Sequence, residues 1–171
     1  MSNFNSQKII APIMRFVNMK GIIALKDGML AILPLTVVGS LFLIIGQLPF
    51  EGLNQAIASV FGDTWTEPFM QVYSGTFAIM GLISCFSIGY SYAKNSGVEP
   101  LPAGVLSLSS FFILLKSSYV PAKGEPIGDA IAKVWFGGQG IIGAIIIGLV
   151  VGAIYTVFIQ RHIVIKMPEQ V

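Results

Sequence analysis

Charge is what this sequence has least of. Asp, Glu, Lys and Arg make up 11% of its 171 residues, where soluble domains carry about 25%. A soluble fold needs a charged surface that this chain cannot supply, and a mean hydropathy of +0.81 points the same way. Cysteine and histidine each occur once, as Cys85 and His162. One thiol excludes an internal disulfide and any multi-cysteine metal site. Cys85 lies inside an apolar run and reads as a small buried residue. His162 stands beside Arg161 at the end of another run, with no second ligand at useful spacing. A solvated, interfacial role fits it better than metal binding or catalysis. GxxxxGK[ST], GxGxxG and a Ser/His/Asp set are all missing, so neither a nucleotide cofactor nor a catalytic residue is expected. Ten basic residues against eight acidic ones, spread thinly, give no patch that would neutralise nucleic-acid phosphates.

What the chain does have is long runs without charge. Gly28–Leu48 holds 21 such residues. As a helix it would reach about 31 Å, enough to cross a hydrocarbon core about 30 Å thick. Lys20, Lys26 and Asp27 precede it, and Asp27 reads as a helix-start charge complementing the dipole. Pro34 predicts a kink. The second run, Phe69–Ala93, has 25 residues, with Gly81, Cys85, Gly89 and Ala93 recurring every four. Such a stripe lets another helix approach closely. The third, Leu101–Leu115, has only 15, about 22 Å as a helix. It spans if Lys116 snorkels and the helix continues to Val120, which would put Tyr119 where interface aromatics belong. Otherwise it is re-entrant or buried. The fourth, Val134–Gln160, has 27 residues, with Gly140, Ala144, Gly148 and Gly152 at i, i+4 steps, a second packing line. Gly137–Gly140 should fray its start.

The pattern thus predicts an all-α integral membrane fold with about four transmembrane helices, the third uncertain. An amphipathic interfacial helix precedes them: Ile9, Ile10, Ile13, Phe16 and Val17 share one face, with Lys8, Arg15 and Asn18 opposite. Residues 1–27 form the cytosolic or interfacial segment. Residues 28–166 form a scaffold and dimerisation domain, with spans at 28–48, 69–93, 101–120 and 134–160. Residues 167–171 begin a continuation. No cleaved signal is expected, because the first run starts after 27 residues and exceeds a signal's apolar core. Between spans, 49–68 is acidic, free of Lys and Arg, and apolar enough at Leu53–Phe61 to rest on a membrane surface beside Trp65.

With the N-terminus inside, four spans place seven bases inside (Lys8, Arg15, Lys20, Lys26, Lys94, Arg161, Lys166) and three outside (Lys116, Lys123, Lys133). That obeys the positive-inside tendency and puts the N-terminus in the cytosol. No span carries a central ionisable residue of the kind that marks an ion or proton pathway. Ser and Thr in the spans default to helix packing, and only the Gly137–Gly140 break could line a channel. The residues alone therefore describe a scaffold-like membrane domain without a visible catalytic centre. A non-transporting scaffold or assembly subunit is one reading of it.

Several stretches narrow this. Leu25-Lys-Asp-Gly-Met-Leu-Ala-Ile-Leu-Pro-Leu-Thr-Val-Val-Gly-Ser-Leu-Phe-Leu43, preceded by Arg15-Phe16, resembles the first span of the lactose/cellobiose/diacetylchitobiose enzyme IIC family. These are the permeases of the phosphoenolpyruvate-dependent sugar phosphotransferase system. Ser87-Ile-Gly-Tyr-Ser-Tyr-Ala-Lys94, Ala103-Gly-Val-Leu-Ser-Leu108 and Ile165-Lys-Met-Pro-Glu-Gln-Val171 resemble later landmarks of the same family. The resemblance implies a plasma-membrane homodimer that moves a disaccharide inward for phosphorylation by enzyme IIB. It implies that this part supplies scaffold and dimer contacts, with no cofactor. Gly81, Gly89, Gly140, Ala144, Gly148 and Gly152 would be its packing residues, and Lys94, Arg161 and Lys166 would face enzyme IIB. Members of the family are well over twice this length, so the chain reads as an N-terminal half or a truncated product. The family's sugar-binding residues belong to the second half and transfer to no position here.

Overall fold

The computed structural model describes residues 17–121, 125 and 127–163. The amphipathic segment 8–18 falls almost wholly outside these, and Lys166 lies outside them. Helix α1 (Lys20–Ala31) and helix α2 (Leu33–Gly46) meet at an angle of 41°. The first span thus starts eight residues before Gly28 and is a bent pair. Pro34 stands in the first turn of α2, where its missing N–H costs nothing because first-turn amides have no helical partner. The buried Ile32 is the joint.

Helix α3 (Glu51–Phe61) buries none of its residues. Helix α4 (Glu67–Gly75), a 3₁₀ turn (Phe77–Ile79) and helix α5 (Met80–Asn95) make one apolar stretch of 29 residues. Its break is at Thr76, whose backbone leaves the helical region (φ −125°, ψ −88°). The Thr76 hydroxyl donates back to the Val72 carbonyl at 2.6 Å, a bond that competes with the regular ladder.

Helix α6 (Pro100–Leu114) does not continue to Val120. Leu115 is extended, and Ser118–Tyr119 (β1) pairs antiparallel with Ile127–Gly128 (β2), Tyr119 opposite Ile127. Lys116-Ser117-Ser118 offers no apolar face for another helical turn, and serine favours turns over helix interiors. Tyr119 therefore sits in a small hairpin. The run from Val134 opens with 3₁₀ turns at Lys133–Phe136 and Gly138–Gly140, and helix α7 (Ile141–Gln160) begins only after the last of these glycines.

Among the described residues, two helical stretches, Glu67–Asn95 and Gly138–Gln160, are long and apolar enough to cross a membrane. The bent α1–α2 pair makes a third if counted as one span. Helix α6 is shorter. Helix α5 is the hub and packs against α7, α6 and α1, while α2 packs along α4.

Helix α7 shows the packing rule. Ala144, Gly148, Gly152 and Thr156 are buried, whereas Ile142, Ile146, Val150 and Ile154 point outward. Small residues turn inward and large apolar ones outward, the reverse of a soluble helix. Among lipid tails a large apolar side chain gains nothing by hiding, and close backbone contact holds the helices.

Candidate functional site

Three seams converge on α5. On the α7 side, a Cβ placed on Gly148 would stand 2.8 Å from the Cys85 carbonyl oxygen and 3.0 Å from Ile88 Cβ. One at Gly152 would stand 2.8 Å from Tyr92 Cβ and 3.2 Å from the Gly89 oxygen. Both are tighter than atoms tolerate, so only glycine permits this approach. Ala144 is fully buried beside Cys85 and Phe111. Gly140 folds over the Trp135 carbonyl, with the Phe111 ring behind it.

On the α6 side, Gly89 receives the Ser107 side chain and the Ala103 carbonyl, and Gly104 receives the Phe86 ring. The buried Cys85 thiol donates to the Ser107 carbonyl at 3.2 Å, and its burial leaves it no access to reagents. Gly81 meets the Phe136 and Gly137 carbonyls, each 2.8 Å from where a Cβ would be.

The third seam was missed by sequence reasoning. The α1–α2 pair runs antiparallel to α4–α5, and three glycines mark it. Gly28 rests on Ile88, Gly39 on Thr76 and Phe77, and Gly46 on Met70. The signal was present: 28, 39 and 46 are 11 and 7 residues apart, about three and two helical turns, which puts them on one face. Phe42 and Phe69 close the far end, with ring centroids 6.1 Å apart.

The polar residues gather at one end. Asp27 is the eighth residue of α1, not its start. Its expected role at a helix N-terminus is therefore replaced by a partner: Asn95 Nδ2 donates to Asp27 Oδ2 at 2.9 Å. Lys26 Nζ lies 3.4 Å from Asp27 Oδ1. Gln160 Nε2 donates to the Ser96 carbonyl at 3.1 Å, tying the ends of α7 and α5. Lys94 and Arg161 are exposed at this same end, while Lys116 and Lys133 follow α6 and precede α7 at the other. Between α1 and α5 opens a cleft of about 390 Å³, with Ala31, Phe86 and Tyr90 as its apolar wall and Asp27, Ser87, Ser91, Lys94 and Asn95 as its polar side. Among the described residues no three His, Cys, Asp or Glu side chains are grouped as metal ligands would be.

Removing the Asn95 amide by Asn95→Ala should cost about 1 kcal/mol or less, because the Asp27 pair is solvent-exposed. Thermal unfolding in detergent against the unmodified chain checks this.

The arrangement is that of a polytopic all-α membrane protein: helices clamped at glycine and a polar edge at one end. The family model described as "Phosphotransferase system, EIIC" matches residues 26–171, and the chain belongs to that family. The lichenan permease IIC component of Bacillus subtilis (strain 168) is 38% identical over 96% of this chain. The cellobiose-specific EIIC component of Geobacillus stearothermophilus is 37% identical over 86% of it. A crystal structure of the transporter ChbC, the IIC component from the N,N′-diacetylchitobiose-specific phosphotransferase system, superposes with a TM-score of 0.86. It is 32% identical and covers 99% of this chain. The chain spans 38% of the lichenan component, 34% of the cellobiose component and 40% of the ChbC chain.

Proposed function

We propose that this chain is the N-terminal membrane part of a sugar permease of the phosphotransferase system. The complete protein moves a disaccharide of the cellobiose, diacetylchitobiose or lactose class inward, where enzyme IIB phosphorylates it. The observation that carries this reading is the superposition on a IIC transporter over nearly the whole chain at 32% identity. No match favours a non-transporting scaffold. Within the permease, this part supplies scaffold and dimer contacts. Gly148 and Gly152 already face α5 in the same protomer, so a second copy would meet outward faces such as Ile142, Ile146 and Val150 of α7.

In this reading the chain sits in the plasma membrane, lipid covers its outward apolar faces, and the N-terminus is cytosolic. The end bearing Lys94 and Arg161 then faces the cytosol, in keeping with the excess of bases on cytoplasmic loops. Those two residues and Lys166 would meet enzyme IIB.

Two experiments test this. Expression of the complete protein that carries this segment, in cells lacking their own disaccharide uptake, should give phosphoenolpyruvate-dependent accumulation of phosphorylated sugar. Accumulation of free sugar alone would argue against it. Cysteines placed at Ser96 and at Ser117 should differ in labelling by a membrane-impermeant maleimide added to intact cells. Ser117→Cys is expected to react and Ser96→Cys to react only after lysis; the opposite pattern would invert the topology.

A further inference from the structure

The cleft opens at the end of the α1–α5 seam, and its Phe86 ring also packs on Gly104 of α6; it combines three kinds of wall. The stacked rings of Phe86 and Tyr90, with centroids 6.1 Å apart and planes inclined at 23°, offer flat apolar faces on which the C–H face of a pyranose can lie. Ser87, Ser91 and the Asp27–Asn95 pair offer hydroxyl, amide and carboxylate groups. Asn95 holds Asp27 in place at 2.9 Å, so these partners for sugar hydroxyls are set before a ligand arrives. Lys94 supplies charge. Asp27 is the one carboxylate among the lining residues; Lys26 lies within 4 Å of it and Lys94 also acts on its charge, so two ammoniums surround one carboxylate and leave an excess of one positive charge. A volume of about 390 Å³ falls in the range of small-molecule sites.

A neutral sugar would leave that excess positive charge unmatched, whereas a phosphate ester would match it. We propose that the cleft is an exit subsite for the phosphorylated disaccharide, in which Lys94 meets the phosphate and Tyr90 carries a sugar ring. This rests on the permease reading above, which puts a sugar phosphate at this end of the molecule. The same phosphate chemistry could come from an anionic lipid headgroup, and the test separates the two.

The complete protein is placed in nanodiscs of phosphatidylcholine and titrated calorimetrically with cellobiose 6′-phosphate and with cellobiose. Lys94→Gln and Tyr90→Ala should each weaken binding of the phosphorylated sugar about tenfold, and Lys94→Arg should restore most of it. Lys94 is exposed, so its replacement leaves the packing intact. Unchanged affinity in both Lys94→Gln and Tyr90→Ala overturns the proposal, as does an equal loss for the two sugars in Lys94→Gln. Binding that disappears from the unmodified protein in phosphatidylglycerol nanodiscs assigns the cleft to a headgroup and overturns it too. A complete protein that neither takes up nor phosphorylates disaccharide fails the permease reading instead.

Discussion

Gly148→Leu should lower the melting temperature of the purified protein in detergent by about 10 °C, while Gly143→Leu should leave it within about 2 °C. The two glycines are five residues apart on one helix, and the substitutions have the same composition. They differ in what the new side chain meets. At Gly148 the first carbon already stands 2.8 Å from the Cys85 carbonyl oxygen, while at Gly143 nothing lies within 4 Å. The obstacle is backbone of a neighbouring helix, which no rotamer change can move. Helix α7 must separate from α5 along its length, taking Gly152 and Ala144 out of contact as well. Overpacking of this kind costs about 3 kcal/mol. Leucine is the better helix former by up to about 1 kcal/mol, which at Gly143 favours the variant and at Gly148 is outweighed. Equal melting of the two variants would show that this line does not hold the helices together.

Gly28→Leu should uncouple the first span from the hub. A Cβ there would stand 2.7 Å from Ile88 Cγ1 and 2.8 Å from the Ile88 Cα and backbone nitrogen, so α1 must lift away from α5. Gly21→Leu is the control, since its nearest neighbour is the flexible end of Leu149 at 3.9 Å. Separation can be read directly. Asp27→Cys with Asn95→Cys, at positions whose side chains touch in the native chain, should be joined by a short thiol-reactive cross-linker. The native Cys85 is buried and should not compete. Adding Gly28→Leu should reduce the cross-linked fraction several-fold, and adding Gly21→Leu should not. A cross-link that persists unchanged with Gly28→Leu would mean that the seam tolerates the side chain and the contact is not steric.

The membrane class was legible because charge and run length express a solvent requirement, and that requirement acts on each segment separately. The inward line of α7 was legible for a related reason: Gly140, Ala144, Gly148 and Gly152 lie on one helix, so their periodicity needs no knowledge of the partner. The α1–α2 seam was harder. Gly28, Gly39 and Gly46 are spaced by several turns across a joint, and their partners Ile88, Thr76 and Met70 carry no small-residue signature. The end of α6 was misjudged because hydropathy counts Leu115–Val120 as tolerable in a span. The polar Lys116-Ser117-Ser118 run instead leaves the helix for a hairpin. The cleft was invisible for a third reason. Asp27 and Asn95 are 68 residues apart, and only the crossing of α1 over α5 brings them together.

The inverted order of α7, with small residues inward, also bears on temperature. A core held by expelling water weakens in the cold, because that drive is entropic near room temperature and carries a large heat-capacity change. The α5–α7 seam is held by atomic contact between surfaces that were never in water, so unfastening it within a bilayer should carry little heat-capacity change. Cooling should leave this scaffold at least as firm as it is in warmth.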